Sequence, residues 1–133
     1  MRWQIVTLLI LSLLAARDVR AANHRGEWQA KVPAKDRDGT NPLPNDQTVI
    51  DSGSKIFARN CASCHGKDGQ GIGRRPSLHT LRVQTATDGE LQWLLRNGSI
   101  AQGMPAWSRL PEVQRWQLVR YLHSLSIEPE PSR

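Results

Sequence analysis

The chain has little of what a small protein normally builds a core from. Among 133 residues there are one phenylalanine, one tyrosine and two methionines, and mean hydropathy is negative. A core made from such side chains is thin, and a domain of this size then needs a staple, a metal or a cofactor. Cysteine is scarce as well: Cys61 and Cys64 are the whole supply. That excludes a disulfide-dense scaffold and leaves no second pair for a four-ligand zinc site. No apolar–polar alternation and no internal repeat is visible, so neither strands nor a solenoid is expected. The formal charge is +6, and +4 without residues 1–21, which is moderately basic and suits acidic partners. It lacks the dense Lys/Arg clustering of a nucleic-acid binder.

Long hydrophobic runs are also missing, with one exception at the start. Arg2 precedes an almost wholly apolar stretch from Ile5 to Ala16, and ARDVRA then ends in the small residue Ala21. A basic start, a short apolar stretch and a small-residue cleavage site are the layout of a secretory signal. The stretch is short for a bilayer span. Residues 1–21 are therefore expected to be a signal peptide and the protein to be periplasmic or otherwise exported. An uncleaved leader would instead tether it at the outer face of the inner membrane. No later segment could cross a membrane. Residues 22–47 place Pro33, Pro42 and Pro44 among Lys, Asp and Asn and read as an irregular Pro-rich arm. It is either a solvated linker or a segment anchored through Trp28. Residues 48–126 are expected to form the domain and 127–133 a flexible tail.

Within the domain the signals are helical. Val49, Gly53, Ile56, Phe57 and Asn60 follow three- and four-residue spacing, with Asp46 or Thr48 as candidate cap. Thr87 and Glu90 have the spacing of a capping box ahead of GELQWLLRN, which stops at Gly98. Pro111 suits the first turn of a last helix whose apolar stripe is Leu118, Tyr121, Leu122 and Leu125. The expected fold is all-α, three modest helices with long loops. Loops of that length in so small a domain are expected to enclose something.

The two cysteines stand in CASCH, at the end of the first helix. For an exported protein the plain reading is a structural disulfide. A redox-active C-x-x-C would open a helix near a βαβ unit, and this chain offers no strand. The remaining reading is covalent haem attachment, whose sequence form is C-x-x-C-H. Residues three apart on a helical turn face the same way. Both sulfurs can then reach the two vinyl groups on one haem edge, with His65 beneath the iron. For the opposite side Met104 is the candidate. It is the only methionine after the leader and sits in a loop between Gly103 and Pro105, a setting that suits a fixed loop shape more than a core gap-filler. His79 and His123 are weaker candidates.

CASCH, the later GMP, the preceding G-x-x-x-F helix and the closing L-x-x-Y-L helix resemble the class I c-type cytochromes, in particular the small bacterial mono-haem members. The resemblance covers about residues 48–126. It implies the cytochrome c fold wrapped around one haem c. Cys61 and Cys64 would bind by thioethers, with His65 and Met104 as axial ligands. It further implies that Gly53 and Phe57 pack against Leu118 and Tyr121 where the first and last helices cross. The Pro76 carbonyl would accept a hydrogen bond from the His65 ring, and Leu78 would line the haem pocket. Arg75 departs from the family, which often has glycine before that proline.

The functional expectation is an electron-transfer protein and not an enzyme: a monomer or transient complex passing one electron at a time between redox partners. Arg59, Lys67, Arg74 and Arg75 lie near the attachment site in sequence and form a candidate basic rim for acidic docking patches; a plain solvated surface is the alternative. A second reading is an electron-accepting haem subunit of a quinoprotein dehydrogenase or an oxidase complex. A third is a peroxide-reactive or ligand-binding haem protein, if Met104 is not a stable ligand. Trp93 and Trp107 are expected on or near the haem and Trp116 near the helix crossing, with plain core packing the equal alternative for all three.

Overall fold

The structure is a computed structural model that describes residues 27–127. The expected signal peptide, the first residues of the arm and the tail beyond 127 lie outside the described residues.

Among the described residues there is no named strand, and the chain is helices joined by loops. Two four-residue turns, α1 (Glu27–Ala30) and α2 (Ala34–Arg37), precede the long helix α3 (Gln47–Asn60). The attachment motif forms its own turn, α4 (Ala62–His65). After a long loop come the short α5 (Leu81–Gln84), then α6 (Asp88–Asn97), a 3₁₀ turn over Ile100–Gln102, and α7 (Glu112–Ser124). No helix among the described residues is long and apolar enough to cross a membrane.

The helix ends follow from local chemistry. Asp46 caps α3, its Oδ1 accepting from the Val49 N–H at 3.0 Å. Thr87 and Glu90 form a complete capping box on α6. The Thr87 hydroxyl accepts from the Glu90 N–H at 3.1 Å, and the Glu90 carboxylate accepts from the Thr87 N–H at 2.9 Å. Such a box satisfies two donors that the helix leaves unpaired. Pro111 stands at the N-cap of α7, one position before the first turn.

The core lies where α3 crosses α7. Ile56, Phe57, Leu91, Leu95, Leu118, Val119 and Leu122 form one buried cluster. Full burial of side chains of this size contributes about 1.5–3 kcal/mol each. Gly53 sets the closeness of the crossing: a Cβ there would lie 2.1 Å from the Gln117 carbonyl oxygen and 2.8 Å from Tyr121 Cβ. Four residues on, Phe57 meets Tyr121 with ring centroids 5.1 Å apart and planes tilted by 50°, within the range aromatic pairs prefer.

The arm differs from the irregular segment its composition suggests. Pro33 stands at the N-cap of α2, and its carbonyl accepts from Asp36 and Arg37. Gln29, Val32 and Asn41 are buried, and Trp28 packs against the core. The Asn41 amide donates to the Trp116 carbonyl at 2.8 Å, and Arg120 donates to the Leu43 carbonyl at 2.7 Å. The Thr87 hydroxyl donates to the Arg37 carbonyl at 2.7 Å. The Thr87 and Arg120 side chains and the Trp116 carbonyl thus give this stretch partners from the start of α6 and from α7.

Candidate functional site

The α3 helix stops at Asn60, and the chain re-enters a helical turn at once. The Cys61 N–H still bonds to the Phe57 carbonyl at 2.8 Å, while the Cys61 carbonyl accepts from both Cys64 and His65 at 3.1 and 2.9 Å. This turn sets the two half-buried cysteines one turn apart, and their thiols are not joined to each other. Burial first, and the neighbouring Cys64 second, push the Cys61 thiol up to about 11. A buried thiol of that kind stays protonated at neutral pH.

His65 is fixed from the following loop. Its Nδ1 lies 3.0 Å from the Pro76 carbonyl. A carbonyl only accepts, so Nδ1 is the donor of this contact, and in the neutral ring the lone pair is then on Nε2. The loop reaches that position because the Gly71 N–H bonds to the His65 carbonyl and the Leu78 N–H to the Gly69 carbonyl, both at 2.7 Å. Leu78 and Cys61 border the same buried cluster.

Met104 borders that cluster too. Its loop is closed by a two-way backbone bridge with Ser99: Met104 N–H to Ser99 carbonyl at 3.1 Å, and Ser99 N–H to Met104 carbonyl at 2.9 Å. Gly98 makes the bridge possible. It ends α6 at φ 70°, and a Cβ there would lie 2.6–2.7 Å from the Pro105 carbonyl carbon, the Ala106 nitrogen and the Met104 oxygen. The Trp107 N–H then bonds back to the Leu95 carbonyl at 2.8 Å. The sulfur-bearing loop is therefore moored to the end of α6.

Each other candidate has a different occupation. His79 is buried, with Nδ1 2.8 Å from the Ser126 carbonyl and Nε2 2.6 Å from the Asp68 carbonyl, so both ring nitrogens face backbone. His123 Nε2 lies 3.2 Å from Asp88 Oδ1. Trp93 and Trp116 line a cavity of about 170 Å³ between α2, α6 and α7, which gives Trp93 a place beside the arm. Trp107 is half-buried. Arg59, Lys67, Arg74 and Arg75 are all exposed. Sequence reasoning missed one contact at the site: Arg75 Nη1 donates to the Gly103 carbonyl at 3.2 Å. Its one trace in the sequence is a long cation where the resembling family often has glycine.

The donor set fits a covalently attached haem. Two unpaired thiols stand on one turn, an imidazole beside them has its tautomer fixed with Nε2 free, and a thioether is moored on the same cluster. Residues 48–122 match the family model described as cytochrome c oxidase, cbb3-type, subunit III. The cbb3-type cytochrome c oxidase subunit CcoP of Rhodobacter capsulatus is 33% identical over 92 residues, which are 62% of this chain and 31% of that protein. The subunit FixP of Azorhizobium caulinodans is 32% identical over 85 residues, 62% of this chain and 29% of that one. The chain thus spans about a third of the length of these relatives. Among solved structures, cytochrome cL from Hyphomicrobium denitrificans superposes with a TM-score of 0.52 at 18% identity, covering 76% of this chain and 67% of that one. That likeness carries the fold alone.

Proposed function

The chain belongs to the cytochrome c family whose cbb3-type oxidase subunit III model it matches over residues 48–122, and on that premise we propose that it is an exported mono-haem electron carrier. Cys61 and Cys64 would hold one haem c by thioethers, and His65 and Met104 would be its axial ligands. Bound haem supplies a one-electron couple between Fe(II) and Fe(III). The chain's own part is positional. The Pro76 carbonyl accepts a hydrogen bond from the Nδ1–H of His65, which orients the ring and raises its basicity. The Ser99–Met104 bridge and Gly98 hold the thioether in one place. Both donors sit on backbone that is already bonded, so little has to move when charge changes. The observation that carries this reading is the His65–Pro76 contact at 3.0 Å beside two unpaired thiols.

A second reading has the same chemistry with a permanent partner: a haem subunit of a terminal oxidase. The names of the relatives CcoP and FixP favour it. In that case the protein would elute with a larger assembly from mildly solubilised membranes.

The deciding experiment is the absorption spectrum of the matured protein, oxidised and reduced, with Met104→Ala beside it. We expect sharp low-spin c-type bands and a ferric sulfur-to-iron band that the variant loses. A high-spin spectrum unchanged in the variant would reject Met104 as ligand and turn attention to peroxide and gas chemistry.

A further inference from the structure

The two loops that bear on the axial ligands have separate moorings. The Pro76 loop is tied to α4 through His65, and the Met104 loop to the end of α6 through Gly98 and Ser99. Arg75 crosses from one to the other. Its main chain is held in the first loop, the N–H bonding to the Ile72 carbonyl at 3.0 Å, and it directly precedes the residue whose carbonyl faces His65. Its Nη1 donates at 3.2 Å to the carbonyl of Gly103, the residue directly before Met104.

The acceptor suits this use. The Gly103 N–H is taken by the Ile100 carbonyl, and both backbone groups of Met104 are taken by Ser99. The Gly103 carbonyl points towards the other loop. Gly103 also has φ 79°, and a Cβ there would stand 3.0 Å from Arg75 Nη1. The residue that can adopt this conformation is also the one that lets the guanidinium approach.

We propose that Arg75 is a positioning residue: a strap between the two ligand-bearing loops that keeps Met104 from swinging away. This rests on the haem reading above. The arginine stands where the resembling family often has glycine. One hydrogen bond of this kind shifts an opening equilibrium by about fivefold.

The test is azide binding to the oxidised, matured protein, in the parent, Arg75→Ala and Arg75→Lys, with the ferric sulfur-to-iron band and the unfolding midpoint recorded beside it. Azide is an anion at neutral pH. Loss of the Arg75 charge alone would slow its approach, whereas an opened loop would speed its binding. We expect about fivefold faster binding in Arg75→Ala, a sulfur band that fades on mild warming before global unfolding, and partial recovery in Arg75→Lys, which keeps a donor. Unchanged or slower binding with an intact band would overturn the strap. So would a loss of band that follows the unfolding midpoint in both variants alike. A parent without any sulfur-to-iron band would overturn it together with Met104 ligation; that failure appears in the parent, while failure of the strap alone appears only in the variants.

Discussion

At the crossing of α3 and α7 side chains hold the structure; in the two loops around His65 and Met104 the backbone does. Phe57, Leu118 and Val119 are at most 1% exposed at the crossing, and two helices touch across a missing Cβ at Gly53. The Met104 loop has a residue pair bridged through N–H and carbonyl groups, and glycines at 98 and 103 with positive φ. Apolar packing is non-directional. Backbone bonds fix direction. A group that must present a lone pair or a sulfur at one point is better served by the second, and the fold supplies the first as foundation.

Two glycine substitutions separate these roles. Gly53→Ala places a methyl group 2.1 Å from the Gln117 oxygen. Alanine in a helix interior would by itself gain about 1 kcal/mol, but overpacking of this severity costs about 3 kcal/mol, so the clash decides. We expect a net loss of about 2 kcal/mol in denaturant unfolding of the matured protein, with the spectrum of the folded fraction unchanged. A neutral or stabilised variant would show that the crossing is looser than its geometry.

Gly98→Ala is expected to do the reverse. The residue sits at φ 70°, with atoms of Met104, Pro105 and Ala106 within 2.7 Å of the would-be methyl group. With ψ at −173° the backbone lies in an extended positive-φ region that essentially only glycine adopts, and another residue there costs about 1–3 kcal/mol. The strain is local, so the Met104 loop should yield before the helices do. The expected readout is a weakened ferric sulfur-to-iron band with a stability loss smaller than that of Gly53→Ala. Were the band intact and the stability loss larger, the division between foundation and presentation would fail.

The same division governs what the sequence reveals. The helices of the crossing were legible because apolar periodicity and caps are local: Asp46, the Thr87–Glu90 box, and the Gly53, Ile56, Phe57 spacing all lie within a few residues of what they determine; where those helices cross came from the family resemblance. The fold class followed, and its cytochrome c form is shared with cytochrome cL. The arm's anchoring was legible only as one of two alternatives, through Trp28; its polar partners were not, because they are 47 to 79 positions away: Asn41 with Asp88 and Trp116, and Arg120 with Asn41 and Leu43. Pro33, which argues against a helix from within, instead stands at the N-cap of α2, while Pro42 and Pro44 remain in chain without regular structure. At the site, spacing indicates the cysteines and His65. The Pro76 carbonyl, eleven residues on, enters only through a family resemblance, and the Arg75–Gly103 contact through neither.

The smallest effect tests whether the arm's polar anchor is tuned like the crossing or merely attached. Asp88 gathers it: Oδ2 accepts from the Asn41 N–H at 3.0 Å and lies 3.6 Å from Arg120 Nη1, while Oδ1 faces His123 at 3.2 Å. Burial is the largest influence on His123 and lowers its pKa; the Asp88 carboxylate raises it, the Arg120 cation lowers it, and the net direction is down. The folded protein therefore binds fewer protons here than the unfolded chain, whose histidine titrates near 6.5. Stability from this group is fully present above that value and declines as pH falls through the window between 6.5 and the lower folded pKa. His123→Gln should flatten the decline of the unfolding midpoint below about pH 6.5 while leaving the midpoint at pH 8 nearly unchanged. A steeper decline in the variant would reverse the sign, and would mean that the ion pair with Asp88 outweighs burial and the Arg120 charge together.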